Sequence, residues 1–399
     1  LIKWAFVKND QRFEQRKTYF EKNMEIIAVT SAKQQKQFID FPHDLYANDP
    51  NYVPELYVGQ RELLSQKKNP FFQHSKAQCF LAYENNKIVG RIAAIYNRNY
   101  NEYADRNVGF FGLFDVIDNF EVSKALLDQV IEWCKTEKVT AMIGPTNFTT
   151  NDTAGLLVDG FDAPPSVMMV YNKPYYLTHL QQYGFKKTKD LLAYEVTEEE
   201  VNMKSVKLAT MLQERLARKG ITVREANLKK LNEEIAGVRE IYRSAWDKNW
   251  GFVPATDAEF DHLAEGLKLI IDPKFVQIAE HDGKMIGFAL AIPDINQITK
   301  NIKRGRLFPT GVFKLLLGKR KIKKIRIILL GVVEEYRKMG IEGVFYARII
   351  SNGLAKGVHT AEASWILEDN EMMNKGLQNI NARVTKRYRI LELPLDSKT

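Results

Sequence analysis

The feature that most constrains this chain is that it repeats itself. Ala82–Gly90 reads AYENNKIVG and Ala279–Gly287 reads AEHDGKMIG; one constant offset lays Ala82 on Ala279, Lys87 on Lys284, Val89 on Ile286 and Gly90 on Gly287. In each copy an apolar run meets a polar turn and then a second apolar run (IVGRIAAIY, MIGFALAIP), the pattern of a β-hairpin. The order of later elements matches as well. The first hairpin is followed by strand-like GFFGLFDVI (109–117), amphipathic SKALLDQVIEWCKTEKV (123–139) and the short apolar TAMIGP (140–145). The second is followed by KIRIILLGVV (324–333), a helical pattern from about Gly340 to Lys356, and HTAEASWIL (359–367). Strand, turn, strand, strand, helix, strand, twice over, predicts an α/β (α+β) chain of two tandem domains, each a mixed sheet flanked by helices.

A length of 399 residues agrees, since one hydrophobic core usually stops growing before that size. The acidic, polar stretch after Val196 marks the expected join, giving domains 24–200 and 201–399. Residues 1–23 are expected to be an upstream extension, because the chain opens on Leu1 while Met24 begins an ordinary-looking start, MEIIAVTSAKQQKQF. Cys79 and Cys134 are too few and too far apart for a disulfide framework, which points to the cytoplasm. None of the six histidines stands in a metal-ligand spacing, so no metal is expected. No apolar run approaches the roughly 18 residues that a membrane span needs.

Net charge is +9, and its placement matters more than its size. Residues 295–333 hold eleven Lys or Arg and no Asp or Glu. Basicity so local implies an anionic partner at one place: a phosphorylated cofactor, a membrane surface or a nucleic acid.

The most informative stretch is LLGVVEEYRKMGIEGVFYA (329–347). An apolar strand runs through Val332 and Val333 into Arg337, Lys338, Gly340, Ile341 and Gly343, and an amphipathic helix follows. Glycine lets a backbone approach a ligand closely. Free N–H groups at a helix start, with roughly half a positive charge from the helix dipole, suit a diphosphate. Here the sequence resembles the GNAT superfamily of acyl-CoA-dependent N-acyltransferases, whose strand ends V-x-P-x-Y/H-R before Q/R-x-x-G-x-G/A opens a helix. Val332, Tyr336, Arg337, Gly340 and Ile341 match; Glu334 replaces the frequent proline, and Glu342 stands where the second small residue belongs, with Gly343 one place late. The resemblance covers 225–395 by motif and 75–196 by element order, and implies two GNAT-like domains with mostly antiparallel sheets. In the first half the loop's counterpart, Asp118–Val122, has no glycine, no arginine and two acids, so that copy is expected to be degenerate.

The resemblance further implies acetyl-CoA or a longer acyl-CoA as co-substrate, an amine acceptor, and a strand N–H at Val332 or Val333 that polarises the thioester carbonyl. An acceptor amine of pKa about 10.4 must be neutralised at a cost of about 4–5 kcal/mol at pH 7, so a base is needed. Glu368 is the expected base, and Tyr388 stands in for the family's tyrosine acid, which is absent here. Trp250, Phe252 and Asn370 are the expected acceptor lining. The segment 305–325, GRLFPTGVFKLLLGKRKIKKI, lies where GNAT domains have a short turn. It interleaves apolar residues with cations, as a segment on an anionic membrane does. That placement, at the inner face of the membrane, makes a lipid-like amine the expected acceptor. A solvated basic excursion is the bland alternative. Two rival functions stand beside this one. An aminoacyl-tRNA-dependent transferase would use the basic stretch on RNA, but would leave the CoA-type loop without a purpose. A non-catalytic acyl-CoA-binding or membrane-peripheral scaffold would explain Glu342 and the missing tyrosine.

Overall fold

The computed structural model describes residues 24–246 and 249–395; the expected extension at 1–23 lies outside them. Thirteen strands form one sheet: β1 Met24–Ala28, β2 Lys76–Glu84, β3 Lys87–Tyr96, β4 Val108–Val116, β5 Ala141–Gly144, β6 Leu156–Asp159, β7 Lys186–Thr197, β8 Ile221–Glu225, β9 Val276–His281, β10 Lys284–Pro293, β11 Lys324–Val332, β12 Thr360–Leu367 and β13 Arg383–Pro394. The helices that matter below are α1 Ala32–Leu45, α2 Phe120–Cys134, α3 Met203–Ala217, α4 Leu231–Ala245, α5 Asp257–Lys268, α6 Gly311–Gly318, α7 Ile341–Ala355 and α8 Glu371–Asn379.

The repeat is structural. β2 and β3 turn through Asn85 and Asn86, and β9 and β10 through Asp282 and Gly283; all four have positive φ, as a two-residue hairpin of the right twist requires. Each hairpin leads to a strand (β4, β11), a helix (α2, α7) and a strand that pairs in parallel with it (β5, β12). β10 alternates between layers. Ala289 and Ala291 pack toward Ile341, Val344 and Phe345 of α7, while Phe288, Leu290 and Ile292 pack with Ile241 of α4 and Leu267 of α5. Full burial of side chains such as Val344 and Phe345 contributes about 1.5–3 kcal/mol each.

The halves do not close separately. The order is β1-β2-β3-β4-β5-β13-β7-β12-β11-β10-β9-β8, with β6 paired to β13 off this path, so β13 of the second half lies against β5 of the first half, and β7 of the first half lies against β12 of the second. Leu391 sits opposite Gly144, and Thr197 opposite Thr360. A buried polar knot holds this seam. Glu362 accepts from Ser166 (2.5 Å), Ser364 (2.9 Å) and Lys324 (2.9 Å), and Arg326 donates to Ser364 and to the Val167 carbonyl. Burial alone would raise the Glu362 carboxyl, but Lys324, Ser166 and Arg326 together hold it below the usual range.

The basic segment divides in two. Arg304 pairs with Asp44 and Arg306 with Asp40 of α1, so these cations fasten the insertion to the first half. Lys324 and Arg326 belong to the buried knot. Lys300, Lys303, Lys314, Lys319, Arg320, Lys321 and Lys323 are exposed.

Candidate active site

β11 and β12 are paired only from Lys324 to Ile327 and from Thr360 to Ala363, and then diverge. The gap is a cleft of about 740 Å3 running from Arg337, Glu342 and Tyr346 past Val332 and Leu329 to Trp365 and Trp250. Its backbone is poised. Val333 donates to the Ile286 carbonyl of β10, and Val332 lies opposite Gly287. Alternation along an antiparallel ladder then turns the Val332 N–H away from β10, into the gap. Of the two strand groups expected to meet a thioester, Val332 faces the cleft and Val333 is engaged in the sheet.

At one end of the cleft α7 begins. Its N-cap, Gly340, has φ +84° and offers no side-chain cap, so of the first N–H groups of the helix only that of Glu342 meets a side chain, its own carboxylate. A Cβ on Gly340 would lie 2.4 Å from Leu212 Cδ2 of α3, which explains glycine here by packing as well as by φ. Gly343 faces α3 too, where a Cβ would touch Ala209 at 3.9 Å. Tyr336 holds the loop through a 2.7 Å bond between its hydroxyl and His281 Nδ1. The Arg337 Nε donates to the Val332 carbonyl, and Lys338, at φ +67°, is exposed at the rim. Burial raises the Glu342 carboxyl, an effect moderated by its own N–H and by Arg337.

At the other end the cleft meets an apolar cavity of about 300 Å3, sharing Trp246, Trp250, Leu329 and Trp365 with it. α4 and α5 roof this cavity over β9, β10 and β11, with Val238, Leu263, Ala264 and Phe288 among its walls. Trp250 and Phe252 both line it. Phe252 is wedged against Tyr242, with ring centroids 5.4 Å apart. The loop carrying them is tied to the first half: Thr150 donates to the Gly251 carbonyl and Asn151 to that of Val253.

That contact delivers a carboxylate that the sequence did not single out. Asp152 lines the apolar cavity and also a second cavity of about 310 Å3 in the first half. Burial pushes its carboxyl up to about 7, against the lowering effect of Thr149, whose hydroxyl donates to it at 3.1 Å. Only the tertiary contact between 149–152 and 249–253 marks it; locally it is one more acid in a Gly/Thr/Asn-rich loop.

The expected acid–base pair is placed elsewhere. Glu368 is not among the cleft-lining residues: one carboxylate oxygen accepts from the Asp190 N–H at 3.0 Å and the other from Lys187 at 2.7 Å, fixing the end of β12 to β7. Tyr388 is fully buried in the first-half core and lines neither the cleft nor the apolar cavity. Asn370 does lie on the cleft wall and caps α8, accepting from the Met373 N–H.

The first half shows what a closed version of the site looks like. Asn119 caps α2 by accepting from Glu121 N, where Gly340 leaves α7 open. Val116 lies opposite Gly90 as Val332 does opposite Gly287, yet its N–H donates to the buried Tyr176 hydroxyl at 2.9 Å. The Thr146–Asn147 segment fills the gap beside β4, with Thr146 donating to the Phe111 carbonyl and Asn147 accepting from Leu113.

No family model matches the chain. Among solved structures, a tandem GNAT protein from the clavulanic acid biosynthesis pathway aligns with a TM-score of 0.56 and 10% identity, over 94% of this chain and 100% of that one. A GCN5-related N-acetyltransferase from Sphaerobacter thermophilus aligns with a TM-score of 0.50 and 13% identity, over 94% and 98%. Two curated proteins are related along nearly the whole length. Protein YghO of Escherichia coli is 36% identical over 364 residues, 90% of this chain and 92% of its own. The bacterial ceramide synthase of Caulobacter vibrioides is 32% identical over 383 residues, 94% and 98%. The chain thus has the tandem GNAT fold, and it belongs to the family that includes protein YghO and the bacterial ceramide synthase.

Proposed function

We propose that the chain transfers a long acyl group from acyl-CoA to the amino group of a lipid-like amine, forming an amide and releasing the CoA thiol. The observation that carries this reading is continuity: an uncapped helix start at Gly340, a splayed cleft and an apolar cavity follow one another along β11. In this reading the diphosphate lies at the first N–H groups of α7, with Arg337 and Lys338 at its side. The pantetheine arm follows the gap, and the thioester oxygen accepts from the Val332 N–H. Charge develops on that oxygen as the amine attacks, so a fixed donor there lowers the barrier more than it stabilises the ground state. The alkyl chain continues past Leu329 and Trp365 into the apolar cavity.

Asp152 is the proposed base. A carboxylate titrating near 7 is matched to taking the proton that the acceptor ammonium must lose before its neutral nitrogen attacks in a closed site. The acceptor approaches from the first-half cavity, whose wall Asp152 shares. A ceramide is the amide of a long-chain amino alcohol, and the relative named for its synthesis supports this class of acceptor. The test crosses acetyl-CoA and palmitoyl-CoA with small amines and long-chain amino alcohols in detergent, following thiol release and amide mass. Palmitoyl transfer to the long-chain amine is the expected product; release that ignores both chain lengths overturns the reading.

A further inference from the structure

α6 leaves its apolar face in solvent. Phe313, Leu316 and Leu317 recur at helical spacing on one side and are 64%, 63% and 76% exposed, and Phe308 beside them is 82% exposed. The opposite side is built to lie flat. A Cβ on Gly318 would stand 2.8 Å from Ile298, and one on Gly311 2.7 Å from the Arg306 carbonyl, so Gly318 lets the helix sit against the short turn Asn296–Thr299 and Gly311 against the 302–306 segment, with the larger side chains turned outward. A helix with this much exposed apolar surface has a partner.

Its rim names the partner. Lys314 lies on α6, Lys319, Arg320, Lys321 and Lys323 follow it, and Lys300 and Lys303 precede it; all seven are exposed, and none of them meets a carboxylate among the described residues. By contrast, Arg304 and Arg306 pair with α1 and Lys324 with Glu195 and Glu362, while Arg326 is buried and donates to Ser364 and the Val167 carbonyl. The crest also adjoins the cavity. Lys319 donates to the Leu269 carbonyl at 2.9 Å, and Leu269, 76% exposed, lies between Lys268 and Ile271 of the cavity lining.

We propose that α6 and its cationic rim dock the protein on the surface of a bilayer containing anionic lipids, with the α5 end of the apolar cavity facing the acyl region. Apolar side chains enter the headgroup boundary while lysines and arginines meet lipid phosphates. Among the described residues no helix is long and apolar enough to cross a membrane. The docking itself is independent of the reaction that the cleft performs.

Co-sedimentation of the full chain with phosphatidylcholine vesicles, with and without phosphatidylglycerol, tests this. The wild type is expected to bind the anionic vesicles, to release them at high salt and to ignore the neutral ones. F313S/L316S/L317S and, separately, R320E/K321E are each expected to lower partitioning on the order of tenfold or more, with thermal melting and the detergent-based transfer assay unchanged. Wild-type binding equal to that of both variants, or no binding to anionic vesicles, overturns the proposal. So does a wild-type dimer in light scattering that F313S/L316S/L317S dissolves while vesicles retain nothing, since the crest then covers a second copy.

Discussion

Burial raises the carboxyls of both Asp152, on the apolar cavity, and Glu342, on the cleft, and opposite effects on the reaction are expected of the two. Asp152 is proposed to act when ionised. Transfer is therefore expected to rise as pH rises through about 7, the range in which its buried carboxyl loses its proton. The acceptor amine also deprotonates as pH rises, so the control is D152N: the inflection near 7 disappears and kcat falls by roughly 100-fold or more, while CoA binding is unchanged. An inflection that survives in D152N removes this residue from the mechanism. Glu342 stands at the start of α7 on the cleft wall, where the diphosphate is proposed to bind. A like charge near the phosphates opposes them, so E342Q is expected to tighten CoA by about 1 kcal/mol, roughly fivefold in Kd, measured by calorimetry. Weaker binding in E342Q means that the carboxylate supports the loop rather than crowding the ligand. Gly340 is a poorer probe, because any side chain there runs into Leu212 before it meets a ligand.

At the scale of elements, the cavity under α4 and α5 is proposed to set chain length. Ala264 on α5 lines it, and a Trp there fills space that an alkyl chain would occupy. Displacing about two methylenes from an apolar site costs ~1.6 kcal/mol. A264W is thus expected to lower kcat/KM for palmitoyl-CoA by about tenfold relative to octanoyl-CoA. Parallel losses on both donors place the chain elsewhere. This cavity was not legible in the sequence: its walls are the ordinary apolar faces of two amphipathic helices, and only their standing off from β10 and β11 makes a space. The strands and helices were legible. The 109–117 and 324–333 segments became Val108–Val116 and Lys324–Val332, because their apolar runs are long and bounded by turns. α2 starts three residues earlier than its periodicity suggested, since Asn119 caps it, and gives way to a 3-10 turn at Lys135–Glu137. The loop at Gly340 was legible because glycine and a helix start are local features. The surroundings of Glu368 were not legible for the converse reason. Its place at the end of β12 was evident, but its bonds to Asp190 and Lys187 depend on a strand more than 170 residues away.

For the whole molecule, the exchange of β7 and β13 is what makes one site out of two halves. It brings the 149–152 loop of the first half against the 249–253 loop of the second, and so sets a first-half carboxylate beside a second-half cavity. The first copy has closed its own cleft with Asn119, Tyr176 and the Thr146–Asn147 segment, leaving it free to wall the other. The measurement that bears most directly on this arrangement is a crystal structure with a non-transferable thioether analogue of palmitoyl-CoA. The diphosphate is expected at the N–H groups that open α7, the thioether beside Val332, and the alkyl chain between α4, α5 and the sheet. A diphosphate bound away from Gly340, or an alkyl chain outside that cavity, contradicts the account.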